Sequence, residues 1–230
     1  MGAPRVVSLV PSATETLRAW GVEPVAVTRF CPEPRPVTVG GTKDPHVDEI
    51  AALRPDLVVM CVEENRHQDA AALADRGMTI HPIDIDGVDD VVGELAELAE
   101  ALQLDVELPT LPEPLPDRGV TAFVPIWRRP WMTISAPTYA ASMLRWLGIG
   151  VVATASSDRY PTVELDEIVD LGAGLVIAPD EPYPFAERHR AELEQVAPTL
   201  FVDGQDLVWW GTRTPGALER LAAQLAVALD

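Results

Sequence analysis

The sequence of 230 residues has few cysteines and no long apolar run. Its two cysteines, Cys31 and Cys61, are too few for a disulfide framework, and neither has a partner at zinc-site spacing. No stretch approaches the ~20 apolar residues of a membrane-spanning helix, so we predict no membrane insertion. The first residues lack the features of an export signal. We therefore expect a cytoplasmic protein, or a periplasmic or otherwise extracytoplasmic one if a leader has been removed.

Positive charge is also scarce. Asp and Glu number 36 against 17 Lys and Arg, which gives a net charge of −19 at pH 7 and an isoelectric point near 4.4. Lys43 is the only lysine. Such an excess of negative charge repels a phosphate backbone, so we predict that no nucleic acid is a partner. A small-molecule ligand is the partner we expect.

Short apolar runs alternate with helical patterns along the chain. This alternation predicts an α/β protein with parallel sheets and helices on both faces of each sheet. At the first helix, Ser12 is the expected N-cap, and Glu15 would complete a capping box. Strands are predicted over residues 6–10, 25–28, 57–62, 79–83, 120–126, 175–178 and 200–202, and helices over residues 12–20, 47–53, 66–76, 88–102, 138–147, 165–171, 185–195 and 215–229.

The two halves of the sequence match each other. Residues 48–50 and 57–59 align with residues 166–168 and 175–177 at a shift of 118 positions. Gly21, after the first helix, corresponds to Gly148 in the second half. Because order and spacing are kept across most of the chain, we interpret the match as an internal duplication.

The duplication predicts two Rossmann-like lobes with a ligand cleft between them. The N-terminal lobe is assigned to residues 1–104 and the C-terminal lobe to residues 119–230. Between them, residues 105–118 contain four prolines, and this composition predicts an extended, proline-rich connector.

Ligands of parallel α/β proteins bind beyond the carboxyl ends of the strands, so the residues at those ends are the candidates. In the N-terminal lobe, backbone N–H groups at the start of the first helix can hold an anion, and Gly40-Gly41 lets the backbone approach a ligand closely. Ordinary helix capping and burial of a small cysteine are the alternatives. The candidates are Ser12, Thr14, Arg29, Phe30, Cys31, Thr42, Lys43, Glu64 and Arg66.

The C-terminal lobe has a more aromatic set of candidates. Tryptophan and tyrosine rings beside arginines fit a flat or anionic ligand through stacking and bidentate hydrogen bonds. The alternative is that these rings pack the lobes together. The candidates are Trp127, Arg128, Trp131, Tyr160, Glu181, Tyr183, Trp209, Trp210 and Arg213.

Metal binding is indicated only weakly. The four histidines are scattered, and no pair has the HxH or HExxH spacing of a metal site. Cys31, His67 and His189 are the weak candidates for metal ligands, and the metal itself stays unknown.

Three segments resemble a known family. Residues 5–17 (RVVSLVPSATETL), 39–42 (VGGT) and 48–59 (DEIAALRPDLVV) are similar to the opening of class III periplasmic binding proteins, the helical-backbone metal receptors for vitamin B12, ferric siderophores and haem. The resemblance implies two lobes joined by one long helix, with cobalamin, haem or a metal chelate bound between them. It also implies that Glu63 or Glu64, together with Glu181, would dock on an ABC permease. The proline-rich connector departs from the long helix and argues against such docking.

Three functions stay open from the sequence. The first is a non-catalytic binding protein for a bulky, partly anionic ligand, favoured because no nucleophile–base pair is evident. The second is an intracellular metal-dependent enzyme or metalloprotein that uses Cys31, His67, His189, Glu64 and Asp203. The third is a regulator that senses a ligand and binds a partner.

Overall fold

The computed structural model describes residues 4–229, which form eleven strands and nine α-helices. The strands are β1 Val6–Ser8, β2 Ala26–Val27, β3 Leu57–Cys61, β4 Ile80–Ile83, β5 Val120–Phe123, β6 Pro125–Trp127, β7 Trp131–Thr133, β8 Ile149–Val151, β9 Thr162–Val163, β10 Leu175–Pro179 and β11 Thr199–Val202. The helices are α1 Pro11–Ala19, α2 Val47–Leu53, α3 His67–Ala74, α4 Val91–Ala101, α5 Tyr139–Trp146, α6 Leu165–Asp170, α7 Arg190–Leu193, α8 Gly204–Val208 and α9 Thr214–Leu229.

The chain divides into two compact units. Within the described residues, unit 1 comprises 4–85, 89–110 and 210–212, and unit 2 comprises 86–88, 111–209 and 213–229. The predicted lobes are residues 1–104 and 119–230, and their outer ends, residues 1–3 and 230, lie outside the described part of the chain. The division into these lobes stays a prediction. The predicted connector, residues 105–118, contains neither helix nor strand.

Unit 1 is built on a parallel sheet with strand order β2-β1-β3-β4. All five residues of β3 are buried, as a strand covered on both faces requires. Val58 and Met60 of β3 pack with Ile50 of α2 and Leu73 of α3 in the core. The predicted helix over residues 47–53 coincides with α2.

Unit 2 repeats this topology with strand order β8-β5-β10-β11. The register repeats as well: Val58 pairs with Ile80 in unit 1, and Val176, 118 positions after Val58, pairs with Thr199. The structure therefore confirms the predicted α/β class with parallel sheets, and its repeated topology agrees with an internal duplication.

The run over residues 120–126, predicted as one strand, is two strands. The parallel strand β5 ends at Phe123, and β6 begins at Pro125 and pairs antiparallel with β7, which pairs with β9. Pro125 has no N–H with which to continue the parallel ladder, so the chain leaves the main sheet there. The sequence analysis missed the resulting three-stranded antiparallel sheet.

Two helix predictions were also wrong in detail, and one short helix was missed. Val10, not Ser12, is the N-cap of α1, because Pro11 occupies the first helical position and leaves no capping box for Glu15. The helix predicted over residues 185–195 is reduced to a 3-10 turn over Glu187–His189 and to α7. The five-residue helix α8, capped by Asp203, was not predicted because it is too short to show a period.

Part of the proline-rich segment is tied to the end of α5 by hydrogen bonds. Leu115 N donates to Trp146 O at 2.7 Å, and Arg118 N donates to Gly148 O at 2.9 Å. The indole Nε1 of Trp146 donates to Pro112 O at 2.9 Å. The segment is thus fixed to unit 2 by its backbone, without secondary structure of its own. Among residues 4–229, no helix combines the length and the apolar character that crossing a membrane would take.

Gly21 and Gly148 offer a matched test of this packing. Both have positive φ, +78° and +75°, but a Cβ at Gly21 would meet nothing within 4 Å, whereas one at Gly148 would overlap the Pro116 carbonyl oxygen. We expect Gly21→Ala to lower the free energy of unfolding by about 1 kcal/mol through backbone strain alone. Gly148→Ala adds the steric overlap, so we expect a loss of about 3 kcal/mol.

Urea denaturation followed by circular dichroism measures both losses. Equal losses for the two variants would contradict the close contact between Pro116 and Gly148.

Candidate functional site

In unit 1, the loop after β2 and the glycine-rich loop are held together by a pair of charges. Arg29 Nη1 and Nη2 each lie 3.0 Å from a carboxylate oxygen of Asp44, and Arg29 N donates to Gly40 O at 2.9 Å. The hydrogen bond from Arg29 lowers the pKa of Asp44. A Cβ at Gly41 would overlap both side chains in their present positions, so the ion pair lies directly against the backbone of Gly41. Arg29, predicted to contact a ligand, is thus already paired with a carboxylate.

Asn65 is a residue at this edge that the sequence analysis did not single out. It is buried, its Oδ1 accepts from Cys61 N at 2.7 Å, and its Nδ2 donates to Thr42 O at 2.9 Å. Nδ2 also lies 3.4 Å from Leu9 O. Its rarity could have singled it out, because Asn65 is the only asparagine in the sequence.

The glycine-rich loop has a second attachment to the end of β3. Lys43 Nζ donates to Glu63 O at 2.9 Å. Beside it the surface is apolar as well as basic: Phe30 is 55% exposed and Val62 is 57% exposed. Thr42 and Glu64 are half-buried, and Arg66 is exposed. This edge of unit 1 therefore presents large apolar side chains next to polar groups.

Three candidates of unit 1 lie in the interior instead. Ser12, Thr14 and Cys31 are all buried, because α1 begins at Pro11 and its first turn faces the core. Thr14 Oγ1 lies 2.8 Å from Ser8 Oγ and 3.2 Å from Cys31 Sγ. Thr28 Oγ1 is also 3.2 Å from that sulfur. The structure thus places Thr14 and Cys31 in a hydrogen-bonded cluster under the surface, with Ser12 buried nearby on α1.

In unit 2, five rings form what we call the aromatic cluster: Trp127, Trp131, Tyr183, Phe185 and His189. Trp131 is buried and stacks on Phe185 with ring centroids 5.9 Å apart, and Phe185 is 4.7 Å from Tyr183. Trp127 meets Tyr183 edge to face at 5.6 Å and is 45% exposed. The hairpin of β6 and β7 thus directs Trp131 into the core and leaves Trp127 at the surface.

Arg128 is fixed against this cluster. Its Nη2 lies 2.5 Å from Glu192 Oε2, and its guanidinium carbon is 5.9 Å from the Trp131 ring. The hydrogen bond to Glu192 raises the pKa of Arg128, with a smaller contribution from Tyr183. Arg128 therefore orients Tyr183 and Glu192 around the exposed ring of Trp127.

His189 belongs to the aromatic cluster rather than to a metal site. Its Nδ1 accepts a hydrogen bond from Ala186 N at 3.1 Å, and its ring lies 5.6 Å from that of Tyr183. Burial lowers the pKa of His189, so the ring is neutral at pH 7. His67 is exposed at the start of α3. Across residues 4–229, no three His, Cys, Asp or Glu side chains are grouped so that they could hold a metal ion.

Glu181, after β10, is a half-buried carboxylate rather than an exposed docking arm. A Cβ at Gly204 would collide with Glu181, so the two segments are in close contact. Burial raises the pKa of Glu181, and nearby Asp180 raises it further. Its Oε1 is enclosed without a hydrogen-bond partner in the described part of the chain.

Trp209, Trp210 and Arg213 have different environments. Trp210 is buried, and Trp209 is half-buried with the Arg213 guanidinium carbon 5.5 Å from its ring. Arg213 Nη2 lies 2.9 Å from Asp206 Oδ1, and Arg220 Nε lies 2.7 Å from Asp206 Oδ2. Arg213 therefore neutralises a buried carboxylate between α8 and α9.

Apart from Arg29, Glu181, Trp209 and Arg213, whose contacts are given above, the predicted residues fall into two groups. Those with surface to offer a ligand are Phe30, Thr42, Lys43, Glu64 and Arg66 in unit 1, and Trp127, Arg128, Tyr160 and Tyr183 in unit 2. Those that the structure places in the interior are Ser12, Thr14, Cys31, Trp131 and Trp210.

Comparison by sequence finds curated relatives for part of the chain. A vitamin B12-binding protein of Salmonella choleraesuis (strain SC-B67) is 30% identical over 101 residues, and one of Salmonella typhimurium is 31% identical over 101 residues. Each match covers 42% of this chain and 38% of the relative, so the chain spans well under half of the relatives' length. No protein-family model matches the chain.

Comparison by structure covers the chain almost completely. The periplasmic vitamin B12 binding protein BtuF of Vibrio cholerae matches with a TM-score of 0.76 at 18% identity, over 99% of this chain and 98% of BtuF. The periplasmic haem-binding protein BhuT, in complex with two haems, matches with a TM-score of 0.78 at 19% identity, over 100% of both chains. The resemblance to class III periplasmic binding proteins is thereby confirmed at the level of the fold.

The buried carboxylate of Asp206 makes a prediction about stability. The hydrogen bonds from Arg220 and Arg213 lower the pKa of Asp206 below its ordinary value. Asp206→Asn removes the negative charge that pairs with Arg213 and Arg220, so we expect the free energy of unfolding at pH 7 to fall by about 3 kcal/mol.

The pH dependence of this loss follows from the lowered pKa. The contribution of Asp206 is complete above about pH 5 and is lost as the pH falls below about 4 and through the folded-state pKa, so the two proteins should converge in acid. Denaturant titrations between pH 3 and 7 measure this. Glu187→Gln, which breaks an exposed pair with Arg190, serves as the control and should change little. A pH-independent difference would contradict the ion-pair explanation.

Proposed function

We propose that this chain is a non-catalytic binding protein for a bulky, partly anionic metal chelate of the corrinoid or haem class. The observation that carries the proposal is the fold match over nearly the whole chain to proteins named for binding vitamin B12 and haem. The curated relatives named for vitamin B12 binding support the same ligand class. Fold alone does not determine function. The exposed residues at the carboxyl ends of the strands in each unit must therefore also suit such a ligand.

The exposed apolar side chains fit a large planar ligand. Phe30 and Val62 in unit 1 and Trp127 in unit 2 all follow or end strands and leave about half of their surface in water. Exposed rings and aliphatic groups in post-strand loops are suited to macrocycle faces, because stacking and burial of apolar surface stabilise the complex.

The basic groups at the same edges fit negative charge on the ligand. Lys43 is bonded only to a backbone carbonyl, and the exposed Arg66 has no carboxylate partner among the described residues. In a chain with a net charge of −19, the exposed cations Lys43 and Arg66 favour an anionic group on the bound chelate. That one ligand lies between the lobes and contacts both edges stays a prediction.

We propose an extracytoplasmic location, in place of the cytoplasmic one expected from the first residues. Its support is that the matched structures carry the word periplasmic in their names. Delivery to an ABC permease through Glu181 is not part of the proposal, because that carboxylate is half-buried against Gly204.

Titration of the purified protein with cyanocobalamin, haemin and a ferric hydroxamate tests the proposal. We expect saturable binding of cyanocobalamin or haemin at one molecule per chain, seen by visible absorbance and by calorimetry. Trp127→Ala removes the exposed ring and should weaken that binding about tenfold or more. Trp20→Phe is the control, because Trp20 caps the far end of α1 and should leave affinity unchanged.

The proposal fails if neither cyanocobalamin nor haemin binds more tightly than about 100 μM. If a probe binds and Trp127→Ala has no effect, the class of function stands, and the contact with Trp127 is wrong.

A further inference from the structure

A hydrogen bond in unit 1 connects the segments that carry the only asparagine and the only lysine of the sequence. The chain has one asparagine, Asn65, and one lysine, Lys43, although it has 16 arginines. Asn65 Nδ2 donates to the carbonyl of Thr42, the residue directly before Lys43. Asn65 and Lys43 lie in different loops, 22 positions apart, and the hydrogen bond to Thr42 joins those loops.

The side chain of Asn65 bonds to the ends of two strands and to a loop. Its Oδ1 accepts from Cys61 N, the last residue of β3, and its Nδ2 donates to Thr42 O and lies 3.4 Å from Leu9 O, directly after β1. A buried amide has two donor hydrogens and one acceptor oxygen, and all of them have partners here. Asp, Ser or Thr could not supply this set, because none of them combines an acceptor with two donors.

We infer that Asn65 is a positioning residue that fixes residues 40–44 against the ends of β1 and β3, and that it sets ligand affinity through Lys43. The second part rests on the proposed function, in which Lys43 faces the ligand. Asn65 itself is buried and need not touch the ligand. Its effect is to hold Lys43 in one place, so that little conformational entropy is lost on binding.

Other bonds restrain the loop, since Gly40 O accepts from Arg29 N and Lys43 Nζ donates to Glu63 O, both at 2.9 Å, but neither of them holds the backbone of Thr42. The hydrogen bonds between the backbones of Gly41 and Asp44 are long, at 3.3 and 3.4 Å. The ion pair of Arg29 and Asp44 is exposed on both sides and therefore weak. Asn65 supplies a short bond to Thr42 O, at 2.9 Å, from a side chain that is itself buried.

Amide hydrogen exchange of the free protein tests the first part. In Asn65→Ala, we expect the amides of Gly41, Asp44 and Cys61 to exchange about tenfold faster or more, while Val58 in β3 keeps its protection. Asn65→Asp is the isosteric variant: it still accepts from Cys61 N but donates nothing. It should release the loop amides and leave Cys61 protected. Gln68→Ala removes an exposed amide three positions on and is the control.

Unchanged exchange at Gly41 and Asp44 in both variants overturns the inference, whether or not the protein binds a ligand. If Asn65→Ala does not fold, Asn65→Asp decides, since it keeps the shape of the side chain.

A double-mutant cycle with cyanocobalamin and haemin tests the second part. We expect Asn65→Asp and Lys43→Gln each to weaken binding about tenfold, and the double variant to bind about as weakly as either single one, because both act through the same loop. Additive losses would overturn the coupling and leave Asn65 as a structural residue. If the unaltered protein binds neither probe, the proposed function fails and the coupling to ligand affinity fails with it, while the exchange data still decide whether Asn65 holds the loop.

Discussion

Buried backbone groups at the carboxyl ends of parallel strands need hydrogen-bond partners, and each unit supplies them with one side chain placed just after its central strand. In unit 1 this side chain is Asn65, which follows β3 and bonds to Cys61, Thr42 and Leu9. In unit 2 it is Asp180, which follows β10 and accepts from Gly204 N at 2.8 Å, so that α8 begins against the strand. Residues 40–44 and the start of α8 are held by these two anchors.

Ion pairs also hold segments near the carboxyl ends of the strands in place. Most arginines near the candidate surfaces are already paired: Arg29 with Asp44, Arg128 with Glu192 and Arg213 with Asp206. Their guanidinium groups fix neighbouring loops and rings in place. Lys43 and Arg66 are different, because no carboxylate in the described residues pairs with them.

The sequence predicts the fold well and the site only in part. The repeat at 118 positions is enough to predict two sheets of the same topology, because register and order depend on the apolar runs that the repeat preserves. It does not show that Pro125 starts a new sheet, and so it does not distinguish Trp127 at the surface from Trp131 in the core. Which way a ring points depends on strand pairing, which a single sequence does not reveal. Pro11 shifts the start of α1 and turns Ser12 inward. The burial of Cys31 agrees with the alternative that the sequence left open.

The burial of both cysteines has a consequence for the reactivity of their thiols in the native state. Burial raises the pKa of the Cys61 thiol to about 12, and Cys31 is enclosed between the hydroxyls of Thr14 and Thr28. Thiol–disulfide exchange requires an accessible thiolate, which the folded protein does not offer at Cys61 and which burial shields at Cys31. Both thiols of the native state are therefore shielded from exchange in a reducing and in an oxidising compartment alike.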